Sequence, residues 1–482
     1  MKKGFSLFIF LFITLILCSC ISTDDIVDNS GSNKPTLKII PEFNYENEVV
    51  INLWDMFGHL DSNPMQYVID EFEHSYPNIK VVRTIMGDHQ IMQEEVLKLI
   101  ETGKLPTVIQ TYTSSNKMFI EKGIIQELDS YVSSRNRITH EDGSKEIVGI
   151  FNAELDNYVD GFLDECRSFD PYGTLYSLPF LKSTEVLFYN KTIFDKYGYE
   201  VPKTWDDIAQ ISESYKLTAE YQNNVNNKIK TTGFVADSLY NLFVVMSKQW
   251  GSDLSSFNKK GVSEFSFNNI SSKSAMKFFK QNCDKSNFAI PDYFGENYGS
   301  EPFKRGQCIM TIGSSAGAIY NSPTDGSFEV GVTTYPQKDI NEPYVSQSGT
   351  NLSLLKCSDP QEELAGWLFI KFVANFESSL HLSTRTSYTP IRTDVMDSDE
   401  YQEHISGIYI DKNGNKVENP NLTQKAQQIV CLQRDCIYAY PAVSYDRNEN
   451  NVFYSLVHTI LYGNKSIDNA YDEAMKSLKD LV

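Results

Sequence analysis

VVINLW (Val49–Trp54), IKVVR (Ile79–Arg83) and TVIQTY (Thr107–Tyr112) are three short apolar runs whose alternation with helical segments decides the fold. After the first, Asn63-Pro64 opens a helix, since proline is tolerated at an early helical position where its missing N–H would go unbonded anyway. Met65, Val68, Ile69 and Phe72 then recur at the spacing of one helix face, and Pro77 ends the segment. A second helical stretch runs to about Glu101 and stops at Gly103. Strand, helix, strand, helix, strand in this order predicts an α/β fold, a parallel sheet covered by helices. Such sheets bind ligands beyond the carboxyl ends of their strands. The segments there are Trp54-Asp55-Met56-Phe57-Gly58 and Tyr112-Thr113-Ser114-Ser115-Asn116. Their rings and polar groups suit a polyhydroxylated ligand, with flat faces for C–H surfaces and donors and acceptors for hydroxyls. Trp54 and Phe57 fit a core role as well.

The whole chain has 482 residues, and single cores stop growing beyond ~250–300 residues, so two lobes or domains are expected. With 41% hydrophobic and 22% charged residues the composition is that of an ordinary globular protein. The formal charge of −20, from 43 basic and 63 acidic residues, argues against nucleic acid as a partner, because a basic footprint would be needed. It also argues against docking to anionic lipid through a basic patch.

The N-terminus reads as an export signal over residues 1–19. Lys2 and Lys3 precede an apolar run, Phe5–Leu17, which is too short to span a ~30 Å hydrocarbon core as a helix. Leu17-Cys18-Ser19-Cys20 resembles a bacterial lipobox, which implies lipidation of Cys20. Stable anchoring then comes from the acyl chains, at about 0.8 kcal/mol per buried CH₂. Residues 20–46 read as the lipidated cysteine and a flexible tether, rich in Ser, Thr, Asp and Asn without helical or strand period. The expected place is the cell membrane, facing the periplasm or the exterior. Six cysteines follow Cys20 at irregular spacings, and Cys431–Cys436 is the one local disulfide candidate.

YSLPFLKSTEVLFYNKTIFDKYGYEVPKTWDDI (Tyr176–Ile208) resembles the first lobe crossing of family 1 extracellular solute-binding proteins, the maltose-binding-protein-like receptors of sugar ABC transporters. FEHSYPNIKV (Phe72–Val81), EKGIIQELDSYV (Glu121–Val132), FKRGQCIMTIGSS (Phe303–Ser315), SYTPIR (Ser387–Arg392) and LYGNKSIDNAYDEAMKSL (Leu461–Leu478) extend the resemblance over most of the chain. Two departures stand out: an insertion at residues 135–156, and Cys308 where the family usually has Ala. The resemblance implies a periplasmic-binding-protein-like fold, two α/β lobes joined by a multi-segment hinge with the ligand cleft between them. It places lobe 1 at residues 47–186 plus 345–380 and lobe 2 at 190–340 plus 385–482. Crossings are expected near Glu185–Asn190, Tyr344–Leu355 and Leu380–Pro390.

Carried over residue by residue, the resemblance gives a candidate ligand set. From the first lobe come Trp54, Asp55, Phe57, Ser114 and Ser115. Ser183 and Thr184 lie at the first crossing. From the second lobe come Tyr240, Trp250 and Ser314, with Gly349, Arg385 and Tyr445 as further candidates. Trp250 could line the cleft or fill the core. Arg385 would favour a phosphate or carboxylate. With four tryptophans against 28 tyrosines and 29 phenylalanines, Tyr and Phe would carry much of any stacking. The expected partners are a sugar-like small molecule, the membrane permease subunits of an ABC importer, and the bilayer through Cys20. No catalytic residue, cofactor or metal and no nucleic acid is expected, and the protein should act as a monomer.

Other readings compete. A receptor of the same fold could take a glycerol phosphoester or a peptide. Gly313-Ser314-Ser315-Ala316-Gly317 matches GxSxG after an apolar strand, which would make Ser315 a hydrolase nucleophile with His381, His404 or His458 as base. The scattered histidines offer no metal-ligand cluster. A lipid-anchored adhesin would have no small-molecule pocket.

Overall fold

The computed structural model describes residues 37–480 apart from 58–62, 141, 411, 413 and 444–448. The three apolar runs form β1 (Val49–Asp55), β2 (Ile79–Ile85) and β3 (Val108–Thr111). β1 pairs in parallel with both of the others. The intervening helices are α1 (Pro64–Ser75) and α2 (His89–Leu99). Asn63 caps α1 by accepting from the Met65 N–H at 3.2 Å, satisfying one of the donors that a helix start leaves open. α3 (Thr113–Glu121) follows β3, and α4 (Asp160–Glu165) leads into β4 (Ser177–Asn190).

β4 organises the rest. Among the described residues nine strands join in one sheet, completed by β5 (Phe234–Val235), β6 (Phe288–Ala289), β7 (Met310–Ser314), β8 (Val330–Thr333) and β9 (Gln347–Leu354). Its order is β6-β5-β7-β4-β9-β3-β1-β2, with β8 also on β4. The first half of β4, Ser177–Thr184, lies antiparallel to β9. From Glu185 onward its partners are β7 and then β8. The side chains behave in the same way. Leu178 and Leu181 pack with Ile51, Phe72, Leu352 and Trp367 in a first core, which also takes in Leu382 and Ile391. Leu187 packs with Trp205, Phe234, Phe243, Val345 and Phe453 in a second. Val186 and Phe188 join Phe162, Met396 and Val430 in a third. One strand therefore belongs to two lobes, and the polar run Lys182–Glu185 is buried where it changes partners.

β9 carries the second crossing and a bulge between Gly349 and Asn351. Gly349 has φ +116°, and a Cβ there would stand 2.0 Å from the Leu181 carbonyl oxygen. Only glycine fits that close approach.

The 135–156 insertion is part of the first core. Arg137–Thr139 pairs with Lys145–Ile147 in a hairpin, and Ile138, Val148 and Ile150 are buried. Trp367 Nε1 donates to the Val148 carbonyl at 2.8 Å, and Lys371 Nζ reaches Glu146 Oε1 at 2.7 Å and the Ile147 carbonyl at 2.6 Å. The cysteine expectation is corrected: Cys431 and Cys436 are both free, each on a different element around a helix end.

Candidate functional site

Between the lobes lies an open cavity of about 680 Å³. The first residues of three helices reach it: His89 and Gln90 of α2, Thr113 and Ser114 of α3, and Leu239, Tyr240 and Asn241 of α5 (Leu239–Gln249). Helix starts present backbone N–H donors and a partial positive charge. α3 has no side-chain N-cap, so its first donors stay open to a ligand oxygen. In α5 the Ser238 side chain accepts from the Asn241 N–H at 3.2 Å. Gln347, Ser348 and Gly349 of β9 and Tyr440 and Tyr454 complete the wall. A smaller pocket of about 80 Å³ continues inward. It shares Thr113, Glu165, Tyr240, Asn241, Gln347 and Tyr440 with the larger space.

Tyrosines and uncharged polar groups dominate. The Tyr240 and Tyr440 hydroxyls meet at 2.8 Å, and Tyr438 packs on Tyr440 with centroids 5.5 Å apart. Tyr112 stands edge-to-face with His89 at 5.0 Å, and its burial pushes the phenol pKa up. Among the described lining residues, Glu165 is the one carboxylate, and neither lysine nor arginine lines the space. Glu165 is ion-paired to Lys182, which is fully buried.

Glu185 sits behind this wall, at the point where β4 changes partners. Its carboxylate accepts from Ser346 Oγ at 2.9 Å and Asn241 Nδ2 at 3.2 Å. Burial raises its pKa to about 7, against the lowering effect of those two hydrogen bonds, and nearby Asp237 adds to the rise.

Of the sequence candidates, Ser114, Tyr240 and Gly349 line the cavity. Ser115 is buried and donates to Gln93 Oε1 at 3.1 Å, and Gln93 lines it in turn. Ser183 and Ser314 bond each other at 3.1 Å. Thr184 accepts from Gln433 Nε2 at 2.7 Å. These three therefore build the crossing rather than the cavity wall.

The structure places other candidates elsewhere. Asp55 is fully buried and held by Arg83 from β2, at 2.5 and 2.8 Å. It also accepts from the Phe57 N–H at 2.8 Å, and it lines neither the cavity nor the inner pocket. Trp54 packs beside the Met92, Val96 and Phe119 cluster, and Phe57 packs on the first core. Trp250 follows the far end of α5, packed on Phe278 at 5.5 Å. The eleven-residue helix separates it from Tyr240, about 1.5 Å per residue. Arg385 lines a separate surface groove with Tyr67 and His381. Tyr445 and Cys20 lie outside the described residues.

Ser315 is buried, and its Oγ accepts from the Thr184 N–H at 3.3 Å. The histidines proposed as its base are committed elsewhere: His381 stacks on Tyr67, His404 lies by Tyr401, and His458 by Tyr454. Sequence reasoning missed Glu165, Asn241, Gln347 and Tyr440. Asn241 was within reach, one residue beyond Tyr240 at the same helix start.

The family model for bacterial extracellular solute-binding proteins matches residues 67–406. A curated relative, the sn-glycerol-3-phosphate-binding periplasmic protein UgpB of Shigella flexneri, is 25% identical over 332 residues, 66% of this chain and 69% of its own. Among solved structures, a cyclic alpha-maltosyl-1,6-maltose binding protein from Arthrobacter globiformis superposes with TM-score 0.68 at 16% identity, covering 90% of this chain and 99% of the other. UgpB from Mycobacterium tuberculosis in complex with glycerophosphocholine gives TM-score 0.64 at 16% identity, covering 89% and 97%. At such identities the structural likeness speaks for the fold, and the family match speaks for the kind of protein. The chain belongs to the bacterial extracellular solute-binding proteins.

Proposed function

We propose that this protein captures a sugar or oligosaccharide in the cleft between its lobes and delivers it to the permease subunits of an ABC importer. In this reading it is a monomer held at the membrane by lipid on Cys20. No helix among the described residues is long and apolar enough to cross a membrane. The observation that carries the sugar reading is the wall itself: tyrosines, amides and hydroxyls, with one carboxylate that is already paired. Rings cover the apolar faces of a pyranose, and neutral donors and acceptors match its hydroxyls.

Thermal-shift screening against neutral mono- and oligosaccharides tests it. A ligand at a hundred times its Kd adds about 2.7 kcal/mol of stability, so a true ligand raises the melting temperature clearly. A second reading, a glycerol phosphoester receptor, draws on the 25% identical UgpB relative. Arg385, the residue that would serve such an anion, lies in a different groove. A shift with sn-glycerol 3-phosphate or glycerophosphocholine and none with any saccharide would replace the first reading by the second.

A further inference from the structure

Glu165 occupies the junction of the outer cavity and the inner pocket, and lines both. It ends α4, and its side chain keeps 18% of its surface exposed, while Lys182 keeps none. Both protein partners of the carboxylate converge on a single oxygen. Lys182 Nζ and, at 3.3 Å, Asn351 Nδ2 donate to Oε2. Oε1 has no hydrogen-bond partner among the described residues. Lys182 comes from β4 and Asn351 from β9, so the two crossing strands hold the side chain from behind.

The energetics of this arrangement are specific. A fully buried lysine demands a counter-charge. Glu165 supplies it with one oxygen and turns the other to the cavity. The pair is neutral overall, yet the cavity meets an anionic acceptor in a fixed position. Such an oxygen takes a hydrogen bond from a hydroxyl and repels a phosphate or carboxylate. Charge-assisted hydrogen bonds are the stronger kind, and this one needs no reorganisation on binding.

We propose that Glu165 is a specificity-determining residue: its Oε1, locked in place by Lys182 and Asn351, accepts hydroxyl donors of an uncharged polyhydroxylated solute and rejects anionic ones. This rests on the sugar-receptor reading of the same cleft. It adds which residue enforces neutrality and how.

Isothermal titration calorimetry on the full chain tests it. The probes are a library of neutral saccharides and polyols, with sn-glycerol 3-phosphate as the anionic counterpart. Glu165→Gln keeps the shape and removes the charge. The double variant Glu165→Gln/Lys182→Met removes both charges and so avoids leaving the buried ammonium without its carboxylate. Melting temperature and circular dichroism report whether each variant folds. The expected result is a loss of roughly 10- to 100-fold in affinity for the best neutral probe in both variants, with discrimination against sn-glycerol 3-phosphate reduced. A neutral probe that binds the wild type and both folded variants within about twofold overturns the role of Glu165 and leaves the sugar receptor standing. Tighter binding of sn-glycerol 3-phosphate than of every neutral probe by the wild type overturns both, as does the absence of any neutral ligand.

Discussion

The two walls of the cleft are built from different chemistry. The first lobe offers His89, Gln90, Gln93, Thr113 and Ser114, polar groups at or near the starts of α2 and α3. The second lobe offers the rings of Tyr240, Tyr440 and Tyr454. Those rings support one another through the Tyr240–Tyr440 hydroxyl contact and the packing of Tyr240 on Phe453. The first wall is thus mainly directional hydrogen-bonding groups, with the Tyr112 ring among them, and the second mainly ring surfaces, with Ser238, Asn241 and Asn451 beside them. A ring-shaped solute with hydroxyls on its edge and C–H groups on its faces uses both at once. The division also separates the two contributions experimentally.

The largest effect is expected from Gly349→Ala, which strikes both walls together. The new Cβ would meet the Leu181 carbonyl at 2.0 Å, at a φ of +116°. Overpacking alone costs about 1–3 kcal/mol, and the backbone strain adds to it. The melting temperature should fall by many degrees, with ligand binding lost along with the fold. Tyr240→Ala comes next. Removing one stacking ring and its hydroxyl partner should weaken the best neutral ligand by roughly 10- to 50-fold in a titration, since aromatic contacts are worth ~0.5–1.5 kcal/mol beyond area burial. Ser114→Ala, on the polar wall, should cost only severalfold. Equal losses from the two variants would erase the asymmetry.

A smaller effect concerns the crossing behind both walls. Burial raises the Glu185 pKa to about 7, above the ordinary ~4.3 of a glutamate in the unfolded chain. Between those values the folded state binds more protons than the unfolded one, so this group's contribution to stability falls as pH rises through that window. Glu185→Gln, which retains the shape and removes the titration, should flatten the melting-temperature profile between about pH 4.5 and 7. An unchanged profile would mean that Glu185 titrates normally. The smallest effect on binding is expected from Trp250→Ala: affinity within twofold of the wild type and a lower melting temperature, since its ring packs on Phe278 and beneath Lys338 Nζ, 5.2 Å from the ring centroid.

Much of the architecture was legible. The spacing of Met65, Val68, Ile69 and Phe72 gave α1, and the alternation of apolar runs gave the parallel pairs of β1 with β2 and β3. The site was legible only in part, for a physical reason. Periodicity tells which element a residue is on, whereas a cleft position depends on what the side chain meets from distant parts of the chain. Asp55 stands at the right strand end, but Arg83 from the neighbouring strand takes its charge. Trp250 and Tyr240 share a helical segment, yet only the end bearing Tyr240 faces the other lobe. Glu165 ends the short helix α4, and its meaning comes from Lys182 and Asn351, 17 and 186 residues away.

The undivided course of β4 through both lobes has a mechanical consequence. A loop would let one half swing freely, but a strand hydrogen-bonded on its edges behaves as a torsion bar. Rotation of one half against the other must be taken up as twist, and the softest place for it is where the edge partner changes, at Thr184 and Glu185. Twist there turns the Glu185 carboxylate against Asn241 and Ser346. The same few bonds that hold a cavity side chain in place thereby set the stiffness of the spring on which the halves move.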